Sequence, residues 1–142
     1  EGSHEFEKDE DFLLLITLLI QRYGQPFEKC LLEYSQEIED VCCFIDEHYR
    51  EHISLQQLCQ CVGLSQSTLL RAFTKSKGVT PYRYLESKRI NEAKKLLEKG
   101  LMPVDVALQI GYSDQSHFTN YFSHITGISP GLYRDIFMKG DS

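Results

Sequence analysis

Two short stretches of the chain carry side chains that could contact the edges of nucleic-acid bases. The candidates are Gln66, Ser67, Leu70, Arg71 and Thr74 in the first stretch, and Gln115, Ser116, Thr119 and Asn120 in the second. Arginine can donate two hydrogen bonds to guanine, glutamine and asparagine can pair with adenine, and leucine can touch the methyl group of thymine. The chemistry that these residue types predict is base recognition.

Basic side chains follow both stretches and could contact phosphate: Lys75 and Lys77 after the first, and Arg134 after the second. The alternative is a polar solvent-exposed face, which any surface helix has. The dipeptide Gln-Ser stands at the equivalent place in both stretches, and this repetition favours recognition over a generic polar surface.

Both stretches belong to an internal repeat. Residues 54–84 align with residues 103–133, with Gly63 matching Gly111 at an offset of 48 residues. After this turn the offset becomes 49 residues, so the second copy has one extra residue in its turn. A repeat that keeps its glycines, prolines and apolar positions keeps a backbone shape and a core.

Each copy predicts two helices joined by a tight turn. Ser54 can cap a first helix, and Gly63 ends that helix because the turn requires a positive φ. Ser65 then caps a second helix, whose inward side chains are Leu69 and Phe73. This order of features is typical of the helix-turn-helix motif. The second copy repeats it with Ala107, Gly111, Asp114, Phe118 and Phe122.

The end of the second copy has a specific pattern, which consists of GYSDQSHF at 111–118, Phe122, GISP at 127–130 and Tyr133-Arg134. With this pattern, residues 35–139 resemble the DNA-binding domain of the AraC/XylS family of bacterial transcription regulators. The resemblance implies an all-α fold, in which two helix-turn-helix subdomains are joined by a long central linker helix and preceded by an extra N-terminal helical segment. It also implies sequence-specific binding to double-stranded DNA in successive major grooves, and regulation of transcription.

The chain is predicted to have three parts. Residues 1–6 are interpreted as a cloning remnant, residues 7–34 as a helical segment that ends a missing N-terminal effector and dimerisation domain, and residues 35–142 as the DNA-binding domain. Within this domain the first motif spans about 54–77, the linker helix about 82–99 and the second motif about 103–126.

The helices outside the motifs are predicted from their apolar patterns. Residues 12–23 form a helix that is apolar nearly all round, and Gly24 to Pro26 stops it. It packs either on this chain or on a missing domain or second subunit. A short helix or connector is expected over 27–33, and a helix over 35–52. The linker helix is expected to expose a basic face made of Arg83, Lys88, Arg89, Lys94, Lys95 and Lys99.

Charge is unevenly distributed along the chain. The total is −6, but residues 1–40 carry −8 and residues 41–142 carry +2. A DNA-binding protein needs a local basic face rather than a basic total. The second motif has Asn120, Ser123 and His124 where the resembled family often has Arg or Lys, so the first motif is expected to bind more strongly.

The spacing of the cysteine and histidine residues does not favour a metal site or a disulfide. Five cysteines without a CxxC spacing predict reduced, small core residues, with a redox-sensing thiol as the alternative. His48 and His52 lack further ligands, so no metal and no cofactor are expected.

The predicted function is therefore regulation of transcription by a cytoplasmic, non-enzymatic DNA-binding protein. Its expected partners are double-stranded DNA, RNA polymerase and a second copy of the chain, bound through the missing domain or residues 12–23; no membrane association is expected. Two alternatives stay open: a helical protein-interaction module, and a thiol-responsive form of the regulator.

Overall fold

A computed structural model describes residues 2–23 and 33–140, and these residues form eight α-helices with no β-strand among them. The helices are α1 (Gly2–Tyr23), α2 (Ser35–His48), α3 (Leu55–Val62), α4 (Gln66–Lys77), α5 (Pro81–Glu98), α6 (Pro103–Gln109), α7 (Gln115–Thr126) and α8 (Pro130–Gly140). The predicted all-α class and the helix pairs of both motifs are confirmed. The chain forms two compact units: residues 1–48 with 52–85, and residues 49–51 with 86–142.

The first motif starts with a capping box. Ser54 Oγ accepts the N–H of Gln57, and Gln57 Oε1 accepts the N–H of Ser54 at 2.8 Å. Helix α3 ends at Gly63, whose φ is +70° and whose N–H donates to the Cys59 carbonyl at 2.8 Å. The predicted cap Ser65 then starts α4 by accepting the N–H of Thr68.

The second motif reaches the same shape by different means. Met102 at the start of α6 makes no side-chain cap, and Pro103 stands at the first helical position, where its missing N–H removes one unsatisfied donor. Between α6 and α7 the turn covers residues 110–114, compared with 63–65 in the first motif. It contains Gly111 at a φ of +92°.

The core of the first unit is formed mainly by α2, α3 and α4, which pack against one another. Its fully buried side chains include Ile38, Val41, Ile45, Leu58, Leu69 and Phe73. Burying side chains of this size stabilises a fold by about 1.5–3 kcal/mol each. The apolar stripe predicted for α2 is therefore confirmed.

Helix α1 also packs on the first unit, against α3 and α4. It begins at Gly2, ten residues before the predicted start, and Phe6 of the predicted cloning remnant is buried. A second side of α1 stays exposed, with Phe12, Leu15 and Leu19 each at least half exposed. Among the helices that the structure describes, α1 included, none has the length and apolarity needed to cross a bilayer.

Helix α2 ends at His48, four residues earlier than predicted. The chain then turns, because the carbonyl groups of Tyr49 and Glu51 accept hydrogen bonds from Arg89 rather than continuing the helix. The prediction for 27–33 and the stop at 24–26 fall largely on residues 24–32, which lie outside the described part of the chain.

The second unit has a core of aromatic and aliphatic side chains. The rings of Tyr112, Phe118, Phe122 and Tyr133 form a series with centroids 5.4–5.6 Å apart. The contacts of Phe122 with Phe118 and Tyr133 are edge-to-face, and such contacts add about 0.5–1.5 kcal/mol each to the burial of the rings. Helix α8, which the sequence analysis did not predict, supplies Tyr133 and packs against α7.

Candidate nucleic-acid interface

Helix α4 is the second helix of the first motif, which is the helix that enters the major groove in helix-turn-helix proteins. Its inward side chains, Leu69 and Phe73, are fully buried as predicted. Gln66 and Ser67 at its N-terminus are exposed. These two predicted base-contacting side chains therefore stand where a duplex could reach them.

Leu70 does not have the predicted position. It is 0% exposed, so the contact with a thymine methyl group is not available in this structure, and that prediction is corrected. Leu70 lies one residue after Leu69, about 100° further around the helix, so the core that buries Leu69 does not account for it. Helix α1 packs on α4, and the apolar pattern of residues 12–23 did not identify α4 as its partner.

Arg71 and Thr74, the remaining candidates on α4, are half-buried. Solvent does not reach Arg71 Nε or Thr74 Oγ1, and neither atom has a hydrogen-bond partner among the described residues. Arg71 and Thr74 are therefore only partly accessible in this structure.

The predicted phosphate contacts differ in their surroundings. Lys75 is exposed. Lys77 Nζ donates to Glu39 Oε1 at 2.5 Å, and this hydrogen bond raises the pKa of Lys77. Arg134 Nη1 lies 3.6 Å from the carboxylate of Asp135. Two of the three cations thus already have a carboxylate neighbour, with which a phosphate would have to compete.

Helix α7 is the corresponding helix of the second motif. Its cap Asp114 accepts the N–H of Ser116 at 2.7 Å, and Phe118 and Phe122 point into the core as predicted. The polar candidates on the other side are all at least partly accessible: Gln115, Ser116 and Asn120 are exposed and Thr119 is half-buried. The second motif therefore presents every side chain that the sequence analysis assigned to it.

A buried polar network holds the second motif in place, and the sequence analysis missed it. Arg89 is 3% exposed, which corrects its predicted position on a solvated basic face. It donates through Nε to the Tyr49 carbonyl at 2.7 Å and through Nη2 to the Glu51 carbonyl at 2.9 Å. Its Nη1 faces the fully buried carboxylate of Glu86, which also accepts the hydroxyl of Tyr112.

Among residues 2–23 and 33–140, no group of three or more His, Cys, Asp or Glu side chains could hold a metal ion. The ring of His48 instead stacks on Phe44, with centroids 4.5 Å apart. Burial raises the pKa of the Cys42 and Cys59 thiols, which lowers their reactivity at neutral pH.

Comparison with known families and curated proteins points to DNA-binding regulators. The family described as "Helix-turn-helix domain" matches residues 58–136. The chain is 48% identical over 118 residues to the HTH-type transcriptional regulator YbfI of Bacillus subtilis, covering 82% of this chain and 43% of that protein. It is 32% identical over 123 residues to the arabinose operon regulatory protein of Salmonella typhimurium, covering 85% and 44%. The chain thus spans less than half the length of these relatives.

Solved structures share the fold. The C-terminal domain of the two-component response regulator yesN from Fusobacterium nucleatum matches with a TM-score of 0.66 and 31% identity, over 70% of this chain and 99% of that one. The DNA-binding domain of AdpA, solved in complex with a target DNA, matches with a TM-score of 0.69 and 25% identity, over 72% and 94%.

Proposed function

The chain belongs to the AraC-type helix-turn-helix family, and we propose that it binds double-stranded DNA through both motifs and thereby regulates transcription. One observation supports this proposal above all others. Both motifs have a capped second helix whose inner side chains are buried, and both begin that helix with an accessible Gln-Ser pair.

In the proposed mechanism α4 and α7 enter successive major grooves, about 34 Å apart along the duplex. Gln66, Gln115 and Asn120 would pair with adenine, and Arg71 would donate two hydrogen bonds to guanine. Because the two helices carry different side chains, one chain would recognise an asymmetric site. Leu70 could join this set only in a conformation in which α1 has left α4.

Phosphate contacts would supply much of the affinity. Lys75, Lys77 and Arg134 are the proposed cations, and each phosphate neutralised makes binding weaker as salt is added. Since the second motif offers neutral Asn120 and Ser123 on its outer side, we expect it to contribute less of this electrostatic part than the first.

The proposed partners beyond DNA follow from the family and from α1. RNA polymerase is the expected protein partner of such a regulator. A second copy of the chain is proposed to cover the exposed apolar side of α1, including Phe12, Leu15 and Leu19. The proposed role involves no catalysis and places the protein in the cytoplasm.

Selection from a random duplex pool tests the proposed function. The proposal predicts enrichment of an asymmetric site and an affinity that falls steeply between low and moderate salt. If no duplex binds even at low salt, the alternative of a protein-interaction module replaces it. Sedimentation of the same sample tests the second copy: a monomer at concentrations well above those of the binding assay would contradict that partner.

A thiol-responsive regulator is a separate candidate with less support. Cys43 and Cys61 are exposed, but no observation connects them to the recognition helices. Repeating the binding assay after treatment with oxidant would identify such a switch by a loss of affinity that reductant reverses.

A further inference from the structure

Helix α1 covers the side of α4 that should face a duplex. Leu70 and Thr74 are one helical turn apart on the outward side of α4; Leu70 is fully buried and solvent does not reach Thr74 Oγ1. Helices α1, α2 and α3 all pack on α4, and Tyr84 of α5 meets the inward ring of Phe73 edge-on at 5.7 Å. We therefore attribute the burial of Leu70 to α1.

The contacts of α1 form one stripe along its length. Phe6, Glu10 and Thr17 are buried, at spacings that place them on one side of a helix. The Phe6 ring meets the ring of Tyr82 edge-on at 5.4 Å, at the start of α5. The next residue of α1, Glu7, places its Oε1 3.1 Å from Arg83 Nη2. These contacts fix α1 to the first unit at the junction of α4 and α5.

Glu10 is a specific anchor within this stripe. Its carboxyl is 1% exposed, and Oε1 accepts the N–H of Tyr82 at 2.7 Å, at the N-terminal end of α5. The pKa of Glu10 is raised to about 8, mainly by burial. Hydrogen bonds from Thr80 and Tyr82 lower this pKa, Asp11 raises it and the charge of Arg83 lowers it, but burial outweighs them. Docking of α1 therefore favours a protonated Glu10.

We propose that α1 is an autoinhibitory helix, which occupies the outward side of α4 and must leave before the first motif can enter the major groove. This inference rests on the proposed function, since it concerns access of DNA to the same helix. The major groove is about 12 Å wide and a helix with its side chains is about 10–12 Å across, so the groove admits α4 alone but not α4 with α1 beside it.

Charge adds to this steric exclusion. Between Glu5 and Asp11, α1 carries four carboxylates and one lysine besides Glu10, which is protonated when α1 is docked. A docked α1 would bring these carboxylates towards the phosphates on either side of the groove, where like charges repel. DNA and α1 thus compete for α4, and any change that releases α1 should increase the affinity for DNA.

The docked side of α1 is suited to release. Its buried residues include Glu10 and Thr17, which lose hydration on docking, whereas the large apolar side chains of Phe12, Leu15 and Leu19 stay in solvent. Docking on α4 therefore buries less apolar surface of α1 than its composition would allow. DNA that competes with α1 for α4 is therefore opposed by little apolar burial.

The substitution Thr17→Asp tests the proposal because it is expected to change the affinity for DNA in two opposite directions. An added negative charge on its own should weaken binding to DNA, but at a buried position it should expel α1 from α4 and so strengthen binding. The matched control is Leu18→Asp, which places the same charge on the next residue of the same helix, at a position that is 53% exposed. Circular dichroism and sedimentation of both variants check that fold and oligomeric state are equal.

Affinities are measured at one salt concentration for the full chain and both variants, on a duplex selected in parallel with wild type and Thr17→Asp. We expect Thr17→Asp to bind about tenfold more tightly than wild type. This factor corresponds to a wild-type protein in which α1 has left α4 in about one-tenth of the molecules, and only these molecules bind DNA. Leu18→Asp should bind no more tightly than wild type. Equal or weaker binding by Thr17→Asp, while wild type binds, would overturn the autoinhibition alone. Absence of binding by all three proteins would overturn the proposed function and this inference with it.

Amide exchange provides a second readout that does not depend on affinity. Adding the selected duplex to the full chain should speed exchange in α1, because DNA displaces it, and slow exchange in α7. Slower or unchanged exchange in α1 would contradict the competition.

Discussion

Replacing Gly111 with alanine is expected to destabilise the second unit much more than the matching change, Gly63→Ala, destabilises the first. The two glycines are equivalent in the repeat, and both have a positive φ, +92° and +70°. An alanine in this left-handed region costs about 1–2 kcal/mol at either position. The two substitutions thus share one penalty and differ in what surrounds the new methyl group.

Of these two glycines, only Gly111 is crowded by neighbouring atoms. A Cβ there would lie 2.7 Å from the carbonyl oxygen of Arg50 and 3.0 Å from that of Tyr49, whereas at Gly63 it would meet nothing within 4 Å. The backbone at residues 49–51 cannot move away freely, because Arg89 holds the carbonyl groups on either side of Arg50. Weakening one such charge-assisted hydrogen bond costs about 1.5–3 kcal/mol. We therefore expect a total loss of about 3–5 kcal/mol for Gly111→Ala and about 1–2 kcal/mol for Gly63→Ala.

Urea denaturation combined with amide exchange measures these losses, since exchange reports the stability of each unit separately. The expected pattern is a large loss of protection in α6 and α7 for Gly111→Ala, and a small loss in α3 and α4 for Gly63→Ala. Equal losses at both positions would refute the crowding argument and leave only the cost of positive φ.

Three more sets of substitutions test single contacts. Arg89→Ala leaves the buried carboxylate of Glu86 without its cation and should lower the free energy of unfolding by about 3–5 kcal/mol, measured by urea denaturation; a loss below about 1 kcal/mol would contradict the buried pairing. Glu10→Gln should remove the pH dependence of α1 docking. Because the pKa of Glu10 is raised from 4.5 to about 8 in the docked state, docking of the wild-type helix is most stable below pH 4.5 and loses stability as the pH rises through 8. Protection factors of the amides in α1, measured at several pH values, would show this trend. A wild-type chain without such a trend would contradict the role of Glu10. Arg71→Ala should relax base preference in one half of the selected site and Asn120→Ala in the other, by about 1–3 kcal/mol each; selection with each variant measures this, and a change in the same half for both would contradict the assignment.

Much of each motif could be predicted because its determinants are local. Ser54 and Ser65 cap the helices that follow them, and Gly63 adopts the positive φ that its place in the turn requires. Such features depend on a few neighbouring residues, and the repeat provides a second, independent copy of the same pattern. The inward positions Leu69 and Phe73 followed from helical periodicity for the same reason.

The contacts between distant parts of the chain could not be predicted in this way. Arg89 has charged neighbours in the sequence, which favour an exposed position. Only the fold shows that its guanidinium group lies beside Tyr49 and Glu51. The burial of Leu70 likewise depends on where α1 docks. An apolar helix can pack against several different surfaces equally well. Its pattern therefore indicates that it packs against a partner but does not identify that partner.

The predicted base contacts have different outcomes for a related reason. Periodicity assigns a residue to the outward side of a helix, but another helix can cover that side. On α7 the polar candidates are accessible as predicted, whereas on α4 the candidates at 70, 71 and 74 are fully or partly buried. Thr119 and Ser123, which match Leu70 and Thr74 in the repeat, are both half-buried, so the full burial of Leu70 is the main difference and the one that we attribute to α1.

The central claim is that both motifs contact one duplex, and a hydroxyl-radical footprint of the selected site tests it most directly. We expect two protected patches on one side of the duplex, centred about 10–10.5 base pairs apart. Arg71→Ala should weaken one patch and Asn120→Ala the other. A single protected patch, which disappears with one of these substitutions and is unaffected by the other, would contradict the claim that both motifs bind DNA.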